Sequence, residues 1–257
     1  MDFHFNAYEC NKFCQNVGID YIMGYSRYDV NSEYFCKIFP NFIEKVIDIP
    51  FGYSKKWENT TPFSKRKNRC LGSGTIEPFD WLIKYYPSSA QNYEHYFDYF
   101  TNYNCMHELR WLIDQKNNHF TDILDNRFHN KSIDHPNYIP DIVNLFNDYK
   151  LFINDESLLN FPPIRTYEGI AAGCVMVAHE NGCYRDYGFE AQKNYIAFNK
   201  YDLSDLADKI RYYLFSAREE LEEIQKNGYN LVINRFNHKS VAKLMYEKIQ
   251  KLYKTNG

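Results

Sequence analysis

The chain has 257 residues, a formal net charge of −3 and a sequence pI near 6.2, a balance that gives no broad basic footprint for nucleic acid. That length suits one large α/β domain or about two small ones. No apolar run approaches the roughly 20 residues of a membrane span, and the N-terminal "MDFHFNAYEC" has neither the basic start nor the apolar core of a signal peptide. A soluble, cytoplasmic protein is expected. Seven scattered cysteines, an odd number, fit reduced thiols rather than a disulfide framework. Cys10 and Cys14 lack a second Cys/His pair of suitable spacing, and His129 and His135 fall in a stretch read as a polar, Pro-bounded loop, so no metal site is expected.

In chain order, "IDYIMGY" (19–25) predicts a short buried strand. "NSEYFCKIF" predicts a short helix capped by Asn31 or Ser32 and ended before Pro40. "EKVIDIPFG" (44–52) predicts a second strand, closing a β-α-β unit too small to be a domain of its own. Residues 53–68 are polar and aperiodic, as in a linker. The basic runs "KKW" (55–57) and "SKRKNR" (64–69) read as solvated loop. "RCLGSGTI" (69–76) reads as a strand entering a Gly-Ser-Gly turn, a strand-to-helix connection with or without a ligand. "FDWLIKYY" and "HELRWLID" predict helices, and residues 116–136, rich in Asn, His and Asp, read as partly loop.

Beyond that point the pattern is regular. "IPDIVNLFNDY" predicts an amphipathic helix with Ile142, Leu145 and Phe146 on one face, followed by the strand "KLFIND". "PPIRTYEGIAAG" predicts a helix with Pro in its first turn and Gly173 at its stop. "CVMVA" has the unbroken apolar character of a strand inside a parallel sheet. The strand "NYIAF" and three further helices complete the chain. Strand and helix alternating through short connections predict a Rossmann-like, doubly wound parallel sheet.

Ligands of such sheets bind at the carboxyl ends of the strands, where helix N-termini point. The helix after "KLFIND" carries Arg165 and Glu168 in its first turns, three apart and on one face. A helix N-terminus offers free N–H groups and partial positive charge, and a nearby Arg adds a forked cation; both suit a diphosphate. A carboxylate one turn further in suits ribose hydroxyls. The alternative from spacing alone is a solvent-facing Arg165–Glu168 ion pair. His107 with Glu108, and His179 with Glu180, are further candidate acids and bases; a hydrogen-bonded loop histidine is the alternative for His179. Cys174 reads as core.

"RTYEGIAAGCVMVA" resembles the donor-site helix and following strand of GT-B glycosyltransferases, in particular those of group 1 and the spore-maturation type. By the same resemblance, residues 1–53 look like the end of an N-terminal Rossmann-like domain with its linker. Residues 54–257 then look like the C-terminal nucleotide-sugar-binding domain with its terminal helices. The resemblance implies that Glu168 holds the nucleotide ribose and that Arg165 faces the diphosphate as the catalytic cation. Thr166 would lie beside them, and Gly72, Ser73 and Gly74 near the phosphates or donor sugar. Many retaining members carry a second Glu eight residues before the ribose Glu, where this chain has Asn160. The implied activity is sugar transfer from a nucleotide-sugar to a glycan or lipid-linked acceptor in polysaccharide biosynthesis. It needs no bound metal and involves no nucleic acid; no Asp-x-Asp motif is present. The alternative is a non-catalytic or split-gene donor-binding module that needs a partner chain or pairs with a second copy of itself. In that case an apolar face of residues 1–52 should lie exposed.

Overall fold

The computed structural model describes residues 6–85, 94–130 and 141–256. Strands β1 (Ile22–Gly24) and β2 (Val46–Asp48) pair in parallel as a separate two-stranded sheet. Between them runs a helix, Glu33–Ile38, whose N-cap is Ser32; its Oγ accepts from Phe35 N at 3.3 Å. Ahead of β1 lies a helix not anticipated from sequence, α1 (Ala7–Asn16).

This front unit shares a core with later segments. Tyr28, Phe35 and Phe39 are sealed against Phe79, Tyr96 and Leu159. The last helix, α2 (His238–Asn256), ties back to it through Lys248 Nζ, 2.7 Å from Asp48 Oδ1. The outward side of the unit is less well covered. Phe13, Val17, Ile19, Val30 and Ile43 are all more than two-fifths exposed. Among the described residues β1 and β2 pair only with each other, so each leaves an edge open.

The main body is a five-stranded, all-parallel sheet in the order β4-β3-β5-β6-β7. Its strands are β3 (Lys67–Ile76), β4 (Leu124–Asn130), β5 (Tyr149–Ile153), β6 (Val175–His179) and β7 (Ile196–Phe198). Side chains alternate between two cores. Leu71, Phe152, Met176 and Ala178 face one helical layer, and Cys70, Leu151, Val175 and Val177 the other. The doubly wound fold expected from the alternating pattern is thus present. None of the seven cysteines is in a disulfide among the described residues, and Cys174 is buried with its thiol on the Phe146 and Tyr149 carbonyls.

Three local readings are corrected. Gly72, Ser73 and Gly74 do not form a turn: β3 continues to Ile76, and all three residues pair with β4. The glycines make room for neighbours. A Cβ on Gly72 would lie 3.0 Å from the Phe128 ring, and one on Gly74 only 2.7 Å from the Arg110 guanidinium. The stretch 116–136 contains the edge strand β4, so His129 stands on a strand rather than in a loop; His135 lies outside the described residues. Its polar look arises because an edge strand pairs on one side only. Asp125 takes Arg69 and the Tyr149 hydroxyl as partners, while Leu124 and Phe128 are buried.

The third correction concerns "SKRKNR". Arg66 is 4% exposed, and Lys67–Arg69 begin β3. The linker itself folds into two 3-10 turns around a buried Trp57. Among the described residues no helix is long and apolar enough to cross a membrane.

Candidate functional site

The strand order turns back on itself between β3 and β5, which lie side by side but are reached in opposite directions from the sheet's start. An open parallel sheet offers a crevice at such a point, at the carboxyl ends of the strands. Here β3 runs on past its last partner on that side, Leu71 opposite Phe152.

The donor-type helix, α3 (Ile164–Ala171), starts beside this crevice. Pro163 precedes it, and Gly173 at φ +87° ends it in the left-handed region that glycine tolerates. Its inner face is fixed by aromatic packing: a Cβ on Gly169 would lie 2.6 Å from the Phe152 ring, so only glycine lets the helix sit this close to β5.

Arg165 and Glu168 do not pair with one another. Arg165 Nη1 instead donates to Ser73 O at 2.6 Å and Ser73 Oγ at 3.1 Å, which places the guanidinium over the end of β3. Burial, and then the nearby Arg110, bring its pKa down to about 10, so it stays cationic at neutral pH. Glu168 is half-buried, and its carboxylate has no hydrogen-bond or ion-pair partner among the described residues. Burial raises its pKa, with Arg165 and Lys56 pulling the other way. A partly desolvated carboxylate without a donor is an acceptor still to be used.

The remaining expected residues divide. Ser73 and Gly74 lie at the crevice with Arg165. Gly72 sits one step back, where packing of Phe128 accounts for it. Thr166 is fully buried, and its hydroxyl accepts from Asn154 Nδ2 at 2.9 Å. One position after Arg165, it turns toward the sheet rather than the crevice, so its side chain supports the helix from beneath.

Of the candidate acids and bases, Glu108 is occupied with structure. Its carboxylate accepts from the Asn104 and Cys105 N–H groups at 2.9 and 3.1 Å. His107 Nδ1 lies 3.7 Å from Asp155 Oδ2. Glu180 pairs at the surface with Arg185 at 2.8 Å. His179 is 1% exposed, with Nε2 2.9 Å from Glu156 Oε2. Burial lowers its pKa, but the Glu156 carboxylate more than offsets this, so the net shift is upward. It is a buried histidine at the end of β6 in close contact with Glu156, not a loop residue. Glu156 also accepts the Tyr184 hydroxyl, and Tyr184 in turn accepts from Asn154 Nδ2 at 2.7 Å.

Sequence reasoning missed this layer, Asn154–Asp155–Glu156 together with Arg110. The available signal was three consecutive polar residues directly after an apolar strand, which places them at the ligand edge of a parallel sheet. Asn160, standing where a second Glu was looked for, has a left-handed backbone (φ +57°). Its side chain joins the front unit to the main body: Nδ2 donates to Asn31 O at 3.3 Å, and Oδ1 accepts from Asn181 Nδ2 at 3.2 Å.

Solved structures share this architecture. A glycosyltransferase from Rickettsia africae superposes with a TM-score of 0.56 at 15% identity, covering 95% of this chain and 67% of that one. HepE from Anabaena in complex with UDP-glucose gives 0.58 at 14% identity, covering 95% and 68%. The pneumococcal O-GlcNAc transferase GtfA in complex with UDP and GlcNAc gives 0.52 at 16% identity, covering 96% and 48%. This chain therefore spans about two thirds of the first two proteins and half of the third. At these identities the likeness shows the fold, which is GT-B. No curated protein matches the sequence. The sequence profile of one family does match, from residue 107 to residue 247 and so over more than half of the chain: the protein belongs to the glycosyl transferase-like family.

Proposed function

We propose that the chain binds a nucleotide-sugar in the β3–β5 crevice and transfers its sugar to a glycan or lipid-linked acceptor. One observation carries the reading: Arg165 and Glu168 stand one turn apart on α3, yet they form no ion pair with one another. The guanidinium is pinned over β3, and the carboxylate has no partner among the described residues. A surface ion pair would have used both groups. Left apart, they offer a cation for phosphate and an acceptor for ribose hydroxyls.

Transfer breaks the bond between the sugar's anomeric carbon and the diphosphate, and negative charge grows on the leaving nucleoside diphosphate. Arg165 and the N–H groups at the start of α3 are aimed at that charge, and fixed dipoles and cations of this kind lower the barrier most in a partly dry site. The cationic charge comes from the chain itself, so the reading asks for no bound metal. A UDP-glucose complex and a complex with UDP and GlcNAc among proteins of the same fold favour UDP as the nucleotide. Isothermal calorimetry with UDP-, GDP-, ADP- and CMP-linked sugars tests the proposal. One nucleotide class should bind well above the others, and the absence of heat from all four would sink it.

A second reading rests on the exposed Phe13, Val17, Val30 and Ile43 and on the open edges of β1 and β2. Exposed apolar surface beside unpaired strands favours completion of the front unit by another chain. On this reading the purified protein binds donor but shows little transfer, and an added partner carrying a Rossmann-like half restores it. Efficient transfer by the isolated monomer would refute that version.

A further inference from the structure

A line of buried polar side chains runs beneath α3, from the end of β6 to the first turn of the helix. It starts at His179, the last residue of β6, whose Nε2 lies 2.9 Å from Glu156 Oε2. Glu156 Oε1 accepts the hydroxyl proton of Tyr184, from the short helix Gly182–Arg185. The Tyr184 oxygen accepts one N–H of the Asn154 amide at 2.7 Å, and Asn154 Nδ2 also donates to Thr166 Oγ1 at 2.9 Å. All five residues are at most 2% exposed.

A polar line of this kind is costly to bury unless every step is made. It also has a direction. An ionised carboxylate only accepts, so Tyr184 gives its one proton to Glu156. The phenol oxygen is then left to accept, which turns the N–H groups of Asn154, not its carbonyl, toward Tyr184 and Thr166. Thr166 is met as an acceptor. It follows Arg165 directly, and its own N–H is tied to Pro163 O at 3.0 Å. The seat of its hydroxyl therefore fixes the turn from which Arg165 reaches Ser73 O.

The far end of the line carries the charge. Glu156 and Asp155 face His179 from the loop after β5, and Lys200 and Tyr201 from the loop after β7. Arg110 stands against Asp155, with Nε 3.9 Å from Oδ2, while Glu180, next along the chain, pairs outward with Arg185. Protonated, His179 opposes the Glu156 carboxylate. Neutral, it strands a buried anion beside Asp155, and Glu156 is driven toward water and away from Tyr184. Burial lowers the His179 pKa and Glu156 more than offsets it, so the charged contact persists above the ordinary histidine range and is lost as pH rises through the raised value.

We propose that Tyr184 is a positioning residue of the donor site: through Asn154 and Thr166 it seats the first turn of α3, and the His179–Glu156 contact makes that seating depend on the proton His179 carries. The proposal rests on the donor-site reading above.

Calorimetric titration of UDP into the full chain from about pH 6 to about pH 9, a range that starts near the ordinary histidine value, tests it. The melting transition of each unliganded variant is the control for folding. Ionisation of the diphosphate itself is common to all variants and cancels when their profiles are compared. Wild-type affinity should fall by roughly three- to tenfold as His179 loses its proton. Tyr184→Phe should bind more weakly at the acid end and lack that fall, and His179→Gln should lie flat at the alkaline level. Thr166→Val cuts the line at its other end and carries the test if Tyr184→Phe does not fold. A folded Tyr184→Phe or Thr166→Val variant with the wild-type slope would overturn the proposal and mark Tyr184 as packing. A slope retained in His179→Gln, or no slope in the wild type, would overturn it as well. A wild-type chain that takes up no UDP at any pH would sink the donor-site reading, and the proposal with it.

Discussion

Replacing Glu168 with Gln should make the unliganded protein more stable at neutral pH while weakening its hold on nucleoside diphosphate. The two effects have one cause. In the folded chain the carboxylate is half-buried and has no hydrogen-bond donor among the described residues, and burial, outweighing Arg165 and Lys56, raises its pKa. The fold thus favours the neutral acid. Its contribution to stability is full below the ordinary carboxylate pKa and declines as pH rises through the raised folded value. Gln resembles the neutral acid at every pH. Its gain in melting temperature should therefore be present at pH 7 and vanish in acid. In the complex the position reverses, since a ribose hydroxyl needs an acceptor, and losing it should cost about 1–3 kcal/mol of binding. Paired melting curves at pH 4 and pH 7, with calorimetric titrations of UDP, measure both. A variant as tight as wild type, or one destabilised at neutral pH, would contradict this role for Glu168.

The largest loss of stability is expected at Arg66, far from any ligand. Its guanidinium donates to Phe146 O and Tyr149 O at 3.1 Å, to Thr61 O at 3.2 Å, to Asn59 Oδ1 at 2.7 Å, and to Ala172 O. Ala172 lies just past the end of α3, so the cation also meets the negative end of that helix dipole. Gly173 clears the space, since a Cβ there would meet Arg66 Nη2 at 2.7 Å. Arg66→Met fills similar volume but strands several buried carbonyls, each costing about 1–3 kcal/mol when left unmet. With partial relaxation the total should reach about 3–5 kcal/mol, in the range of other broken buried charge networks. Urea denaturation reads this as a lower midpoint with an unchanged slope. A change under about 1 kcal/mol would show that water or neighbours replace the guanidinium easily.

The segment around Glu168 was legible in its backbone, whereas the one around Arg66 was read as solvated loop and is folded inward. The helix Ile164–Ala171 is written in the chain by Pro163 before it, the apolar positions within it and Gly173 after it, and β6 by its unbroken apolar run. β4 was obscured because an edge strand needs few apolar residues. The Gly-Ser-Gly segment was misassigned as a turn because glycines mark turns and close approaches alike, and here the cause is the approach of Phe128 and Arg110.

What the sequence by itself determined is the alternation of strand and helix, the doubly wound class that follows, and the presence of Arg165 and Glu168 on one helical face. These depend on periodicity and punctuation within a dozen residues, where backbone propensity and burial speak directly. Only the tertiary structure decided which partners those charges took. Arg165 chose a carbonyl 92 positions away rather than the carboxylate three positions away, and Arg110 chose one 35 positions away. Arg66, in a run that reads as solvated, was drawn inward by carbonyls more than 80 positions distant. The physical reason is the same in each case. Local sequence fixes where a long charged side chain starts, but the strand ends and helix termini that meet its far end, and the water it gives up on the way, exist only once the sheet has assembled.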